Sequence, residues 1–488
     1  MSGLVRALPV VVFLAAVGAT ALRPIDDPDF WWLLSGGRHM VETRSFASTD
    51  PFSATALGAE WLNHAWGYEL FLYALYALAG LAGVVVLQGV VAAATFGVLY
   101  GLLRREGLAR AAAMGLVSLG ALATYGFWAP RPQLVTYLFL ALFVTLIADF
   151  QAGRPSRLGW LPVLTAVWAN LHAGFPAGPG LIALSAVGEL AGWALGDEAG
   201  RTGGLRRART LGGWFAASMA ASLINPFHYH AFLFPFQVMG ERLSQAWIIE
   251  WLSPPFGHPQ VRVLEILLGL MLLLALRTAR PVPWRDLVVL LPLVHLALQG
   301  TRNTPLLVIV ATPIVGRAAV SCIGLHWGRL PGLARQGLVL GTLALVLSAC
   351  SLVAGARDPR GIWSAFGPAF GVADVFPAGA VDFLRREGRR GTLWNEYVWG
   401  GYLIWHLYPE LRVSIDGRAA VYGPERFREH VTVSELEPGW QHVLARLEPS
   451  TAIVRSGTPL VAALQASGWV MRFQDHVASV LDPPGGAR

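Results

Sequence analysis

Apolar runs long enough to cross a bilayer, or nearly so, recur from one end of this chain to the other. They lie at about 5–22, 81–103, 110–127, 134–150, 158–171, 179–196, 210–224, 261–276, 286–300, 303–322 and 336–355. A straight helical crossing takes ~20 residues. Backbone N–H and C=O groups have no water to bond within hydrocarbon, so runs of this kind span it as helices that satisfy their own backbone. The pattern predicts an α-helical polytopic membrane protein with about eleven transmembrane helices, several of them short. Composition agrees: hydrophobic residues make up 55% of the 488 and charged residues 14%, where a soluble chain carries about 25% charged, and mean hydropathy is +0.51.

The formal charge of +7 would suit nucleic acid were it gathered in one patch. All 37 basic residues are arginine, and they sit mostly in short loops between apolar runs, where the positive-inside bias places them. Nucleic acid is therefore excluded as a partner. The two cysteines, Cys322 and Cys350, lie in apolar runs and imply no disulfide framework. No Cys/His spacing matches a zinc site.

The arginines also set a topology. If the apolar stretch Ala65–Gly80 lies in the interface and does not cross, the inner loops hold about 15 arginines and the outer loops about 7, as the positive-inside rule requires. If it crossed, every later loop would change sides and the bias would reverse. The first run then reads as an uncleaved anchor in a multi-pass protein of the cell (inner) membrane. Its N-terminus is cytoplasmic, 23–80 forms an outer loop, and the C-terminal segment is extracytoplasmic. From about 357 the composition turns to mixed charge and alternating apolar residues. Helices are expected over Ala380–Glu387 and Pro459–Ser467, and strands over Arg412–Ile415 and Ala452–Val454, which makes a small α/β domain. The expected domains are thus 1–356, transmembrane, and 357–488, extracytoplasmic.

The outer loop concentrates reactive side chains. Asp26-Asp27-Pro28-Asp29 precedes Phe30-Trp31-Trp32, and carboxylates grouped at a membrane face are costly unless used. Proline favours an extended residue before it, and carboxylates two apart on an extended chain point to one side. Asp27 and Asp29 could then share a hard cation, Mg²⁺ or Mn²⁺. They could equally cap the helix expected from about Phe30. Asp50-Pro51-Phe52-Ser53 reads as a turn and cap. Trp61 and Trp66 suit an interfacial aromatic belt, and His64 between them is a candidate for metal or phosphate.

Five polar clusters fall at predicted outer ends of spans: Arg131-Pro132-Gln133, Asn170-Leu171-His172, Asn225 to His230, Glu250-Trp251 and Thr301-Arg302-Asn303. A shared face lined by Arg and His suits a phosphate-bearing lipid, since guanidinium grips phosphate oxygens bidentately. In the C-terminal segment Trp394, Trp399, Tyr402, Trp405 and Tyr408 crowd together, with Gly400-Gly401 among them and Asp416-Gly417-Arg418 just beyond. Gly-Gly permits a close backbone approach. The aromatics could form the domain's core and membrane seat, or Trp399, Asp416 and Arg418 could face the first-loop carboxylates and bind an acceptor.

This arrangement resembles the GT-C superfamily of membrane glycosyltransferases: a first span with its N-terminus inside, an acidic outer loop holding Asp-Pro, an interfacial helix, a many-span bundle and an outer domain. Within it, Asp27-Pro28-Asp29-Phe30-Trp31-Trp32 resembles the Asp-Pro-Tyr-Phe stretch of oligosaccharyltransferase catalytic subunits. Trp394-Asn395-Glu396-Tyr397-Val398-Trp399-Gly400-Gly401-Tyr402 is similar to their Trp-Trp-Asp-Tyr-Gly signature. The first-loop motifs also resemble a large group of uncharacterised bacterial multi-span proteins.

The resemblance implies transfer of a sugar from a polyprenyl-phosphate-linked donor, held in the membrane lipid, to a glycan, lipid or protein acceptor on the outer face. Asp27 would be metal ligand or base, with Asp29 beside it, and Arg131 and Arg302 would grip phosphate. One departure stands out: the second outer loop, Trp128 to Gln133, lacks the carboxylate that many relatives carry there. Asp29, Glu69 or Glu250 would have to replace it, or the chemistry would run without metal. Otherwise the chain is a non-catalytic scaffold, a lipid-linked glycan transporter or assembly factor. Asn395-Glu396 also stands where the signature has Trp-Asp, so recognition of a peptide sequon is not supported.

Overall fold

The computed structural model describes residues 3–240, 247–257, 259–277, 282–327, 372 and 374–485. The run expected to span over 336–355, Cys350 and the expected domain boundary at 356/357 lie outside them. The described residues gather into two compact units. One draws on Met1–Arg23, Val85–Pro235 and Ile248–Ala369, the other on Pro24–Val84, Phe236–Trp247 and Phe370–Arg488.

The first unit is helical. Every apolar run from 5–22 to 303–322 falls on a helix, among them Gly3–Ala19, Gln133–Gln151, Ala177–Leu195, Trp284–Gln299 and Thr304–Trp327. The expected count of about eleven crossings is a separate matter from the helices themselves, and length and composition single out fewer of them. Among the described residues four helices, Trp66–Arg105, Gln133–Gln151, Ala177–Leu195 and Thr301–Ser321, are long and apolar enough. Leu8–Ala19, Arg110–Ala123 and Trp160–Ala169 are apolar but shorter. The shortfall has local causes: Trp284–Gln299 has only 16 residues, and Gly204–Ala221 opens on Arg206, Arg207 and Arg209.

The helix Trp66–Arg105 is broken at Gly80, whose φ of 60° and ψ of −160° are not helical. Only glycine adopts that conformation without strain. The break falls where the arginine distribution separates an interfacial stretch from a span.

Inside this unit, hydroxyls are satisfied by their own helices. Thr95, Ser118, Thr165 and Thr312 each donate to the carbonyl four residues earlier, which lets polar residues sit in apolar surroundings. Large aromatics fill the core, with Trp128 edge-on to Tyr137 at 5.3 Å and Phe143 to Trp168 at 5.8 Å. Ion pairs join helices and the loops between them. Arg154 reaches Glu106 and Asp149, both at 2.7 Å, and Arg207 reaches Glu189 at 2.7 Å.

The second unit joins the first long loop to a five-stranded sheet. Its strands are β1 (Gly391–Asn395), β2 (Leu411–Val413), β3 (Thr451–Arg455), β4 (Val470–Gln474) and β5 (Ala478–Asp482), in the order β2-β1-β3-β5-β4. β1 runs parallel to β2 and β3, with Leu393 opposite Val413 and Trp394 opposite Ala452. β5 is antiparallel to both β3 and β4. The helices Ala378–Arg386 and Pro459–Ala466, with β2 and β3, match the expected elements. β1, β4 and β5 are additions.

As an edge strand β2 would expose unpaired backbone, and the first loop covers it. Ser53 bridges Val413 in parallel, and the Ala54 N–H donates to the Val413 carbonyl at 2.9 Å. Behind that edge, the helix Gly400–Leu407 approaches so closely that a side chain on Gly400 would strike the Ile415 carbonyl and the Asp416 backbone. Backbone atoms cannot step aside, and overpacking of this kind costs about 1–3 kcal/mol. Gly400→Ala should therefore lower the thermal midpoint of the full-length protein clearly. An unchanged midpoint would contradict the packing.

Candidate functional site

In the second unit the acidic loop is a helix start. Pro28 has φ −61° and ψ −33°, so Asp27 and Asp29 do not share one side of an extended strand as the sequence suggested. The proline itself occupies the turn into the helix Asp29–Thr43. The carboxylates take separate donors: Asp27 Oδ1 accepts the Asp29 backbone N–H at 2.9 Å, and Asp29 Oδ1 accepts the Trp32 indole N–H at 2.9 Å. The first of these bonds is the capping arrangement. Among the described residues no group of three or more His, Cys, Asp or Glu side chains is placed to hold a metal ion. Asp27 and Asp29, each turned to its own donor, do not form a closed donor set for Mg²⁺ or Mn²⁺.

The glycine motifs fit against this helix start. A side chain on Gly401 would meet the Pro28 carbonyl and the Trp32 N–H, and one on Gly417 would meet Asp29 Oδ1 and the Trp32 indole. Trp31, one position along, packs edge-on to Tyr402 at 5.0 Å and to Phe376 at 5.8 Å. The two aromatic motifs of the sequence thus interlock.

Beside them lies a buried charge network. Arg418 donates from Nε to Asp416 Oδ1 at 2.9 Å and from Nη2 to Asp416 Oδ2 at 2.7 Å; Nη2 also lies 2.8 Å from Asp50 Oδ1. Asp50 in turn caps its own turn, accepting the backbone N–H groups of Phe52 and Ser53 at 3.1 Å and the Ser53 hydroxyl. Tyr422 donates its hydroxyl to Asp416 at 2.6 Å. The guanidinium sits over Trp61, 4.6 Å from the ring centroid. Burial alone would raise the Asp50 pKa, but Arg418 and the hydrogen bonds outweigh it and hold it below the ordinary value. Burial opposes the charge on Arg418 too, and its two carboxylates raise its pKa well above the ordinary value.

The acceptor role expected of Trp399, Asp416 and Arg418 therefore meets a different use of these side chains. Trp399 is 1% exposed and donates its indole N–H to the Val375 carbonyl, leaving no open ring face for a sugar. Asp416 and Arg418 are buried in the network. Asn395-Glu396 is likewise structural. Asn395 ties β1 to the residues after β2, accepting the Ser414 N–H and donating to the Ile415 carbonyl, while Glu396 accepts the Arg455 N–H. Glu69, one of the carboxylates named as a replacement for the missing second acidic motif, is buried, and Asn63 donates to it at 2.8 Å.

The first unit holds a separate cluster. Arg131 lies 2.6 Å from Glu250, and the Arg302 guanidinium rests 4.1 Å from the centroid of the Trp251 ring. Both arginines act on Glu250: burial raises its pKa, and they more than reverse this, keeping the carboxylate ionised. The Thr301 hydroxyl donates to the Leu252 carbonyl at 2.8 Å. The other clusters connect as well, with Thr136 Oγ 2.6 Å from His172 Nδ1 and Asn170 donating to the Ile224 carbonyl at 2.7 Å. Polar residues scattered over 170 positions thus meet as neighbours. His64, grouped with Arg131 and Arg302 in the sequence reading, belongs to the other unit.

No protein-family model matches the chain, and no curated protein is similar to it. Solved structures are. The archaeal oligosaccharyltransferase AglB from Archaeoglobus fulgidus, in complex with an inhibitory peptide and a dolichol-phosphate, aligns at 11% identity with a TM-score of 0.59, over 93% of this chain and 70% of its own. An oligosaccharyltransferase from the same organism, tethered to an acceptor peptide, aligns at 12% identity and a TM-score of 0.56, over 92% and 69%. ArnT from Cupriavidus metallidurans, bound to undecaprenyl phosphate, aligns at 14% identity with a TM-score of 0.47, over 98% and 97%. The fold is that of the GT-C glycosyltransferases, as the sequence motifs implied.

Removing Arg418 would leave Asp50 and Asp416 buried without their cation, and breaking such a pair costs about 3–5 kcal/mol. The sign of the pH effect is specific. With its folded pKa depressed, Asp50 contributes stability that is full above the ordinary carboxylate range near ~4 and is lost as pH falls through the lower folded value. Wild-type stability from this source should be flat between about pH 7 and 5. Arg418→Ala should be strongly destabilised at neutral pH and regain stability on acidification, because burial without a partner favours the protonated acid. Urea unfolding at both pH values measures the difference.

Proposed function

We propose that the chain is a membrane glycosyltransferase of GT-C type, transferring a sugar from a polyprenyl-phosphate donor to an acceptor hydroxyl at the outer face of the inner membrane. The observation that carries this reading is the convergence of Arg131 and Arg302, from separate ends of helices, on Glu250 within that fold. Two guanidiniums held together suit the leaving phosphate, whose charge grows as the glycosidic bond breaks. Their rigid setting, one against a carboxylate and one against an indole, limits the reorganisation needed at that moment.

In this reading the acceptor oxygen attacks the anomeric carbon and loses its proton to a carboxylate, assigned to Asp27. The bond from that carbon to the phosphate oxygen breaks, and the electron pair leaves with the lipid phosphate between Arg131 and Arg302. A general base of this kind contributes about 10²–10⁴-fold. Asp29, tied to the Trp32 indole, positions the helix start on which Asp27 sits.

A second reading has its own support. Asp27 already caps a helix, and the second outer loop lacks a carboxylate, which fits a non-catalytic scaffold that binds or moves lipid-linked glycan. Asp27→Asn separates the two readings, because an Asn side-chain oxygen still accepts the Asp29 N–H while the basic charge is gone. With purified full-length protein and radiolabelled polyprenyl-phosphate sugars, the substitution should cut transfer by about 100-fold or more at unchanged thermal stability. Transfer that is absent in wild type as well would favour the scaffold. Arg302→Ala should raise the KM for donor while the protein stays folded. The topology is tested by cysteine labelling in a cysteine-free background: an impermeant maleimide should reach Gly388→Cys from outside and leave Gly107→Cys unmodified.

A further inference from the structure

At the far end of the helix Gln133–Gln151 from Arg131, about 27 Å away at the α-helical rise, the first unit contains a small cavity of about 40 Å³ that opens to the outside. Its polar wall is made by Gln151, Ser185, Arg285, Asp286 and Arg317, contributed by four helices. Aliphatic residues of the same helices, including Val144, Ile147 and Val289, make up most of the remaining wall. Arg317 donates to Asp286 at 2.7 Å, which leaves most of its guanidinium donors for other acceptors. Arg285 lies 3.9 Å from Glu189, a carboxylate already bound by Arg207 at 2.7 Å. Its buried Nε has no hydrogen-bond partner among the described residues, and a buried N–H left unmatched is costly.

We propose that this cavity binds a phospholipid with a net negative headgroup, whose phosphate oxygens accept from Arg285 and Arg317 while an acyl chain lies along the aliphatic wall. Three observations on one cavity support it: Arg317 spends one donor on Asp286 while Arg285 is only 3.9 Å from a carboxylate that Arg207 already binds, a buried Arg285 N–H lacks an acceptor among the described residues, and aliphatic residues adjoin the charged end. A soluble anion would use the first two alone. The aliphatic wall is what selects a lipid, since each CH₂ buried there contributes about 0.8 kcal/mol. The site is separate from the Arg131–Glu250 cluster and does not depend on the glycosyltransferase reading.

Full-length protein in detergent would be titrated with phosphatidylglycerol, with phosphatidylcholine and with inorganic phosphate, following the thermal midpoint. Phosphatidylglycerol should raise the midpoint saturably, with about tenfold tighter apparent affinity than phosphatidylcholine, and inorganic phosphate should have no effect. Arg285→Gln should weaken the phosphatidylglycerol response by about tenfold, whereas Arg302→Ala, in the other cluster, should leave it in place. Equal responses to the two lipids, a response to phosphate matching that to phosphatidylglycerol, or an unaltered response in Arg285→Gln would each overturn the proposal. If Arg285→Gln fails to fold, Arg317→Gln takes its place, with the same weakening of about tenfold expected and an unaltered response overturning the proposal; the wild-type headgroup comparison alone does not distinguish this site from the Arg131–Arg302 cluster.

Discussion

The guanidinium of Arg418 is buried, charged and bound to two carboxylates that lie 366 positions apart in the chain, Asp50 and Asp416. Taking such charges out of water costs several kcal/mol per ion. The cost is offset by two bonds to Asp416, one contact to Asp50, the Tyr422 hydroxyl and the backbone of the Asp50 turn, while Nη1, without a hydrogen-bond partner among the described residues, leaves the guanidinium resting on the Trp61 ring. Once set, the network holds the turn at 50–53 against the end of β2. The bridge from Ser53 to Val413 then pairs the exposed edge of the sheet. The close contacts of Gly401 and Gly417 with the start of the helix Asp29–Thr43 belong to the same packing. A loop rich in reactive residues becomes a rigid part of a folded unit.

The helical unit obeys a different constraint. Its interior is apolar, so charged side chains collect at helix ends and pair there. Arg154 with Glu106 and Asp149, and Arg317 with Asp286, tie one set of ends, while Arg131 with Glu250 ties another. Ion pairs that join separate helices in this way help fix which helix ends are neighbours, a role that packing of aliphatic side chains alone performs less selectively. Hydroxyls bonded to their own helices keep the interior free of competing polar links.

Much of this was legible in the residues. The helical runs, the break near Gly80 and the elements over 378–386, 411–413, 451–455 and 459–466 follow from apolar periodicity and glycine placement. β4 was missed because Val470–Gln474 alternates exposed and half-buried positions without a strong apolar face, and β1 because Trp394 was read with the aromatic cluster that follows it and not as part of a strand. Arg131 and Arg302 were singled out as phosphate-gripping candidates by their place at helix ends; in the structure Arg131 pairs with Glu250 and Arg302 acts on the same carboxylate. For Arg418 the sequence showed only a turn signal, Asp-Gly, and nothing local distinguishes a guanidinium that binds ligand from one that binds a distant aspartate.

What the sequence by itself determined is the solvent each segment tolerates: long uncharged runs must become helices that satisfy their own backbone, and an Asp-Pro string must cap or turn. What only the tertiary structure decided is which charges are spent on one another. Whether Asp50 and Arg418 form a clamp or a site depends on a contact across 368 residues, set by chain packing that no short-range pattern encodes. The same holds for Asp27 and Asp29: their spacing allowed a shared cation, and the helical turn at Pro28 gave each a separate donor instead.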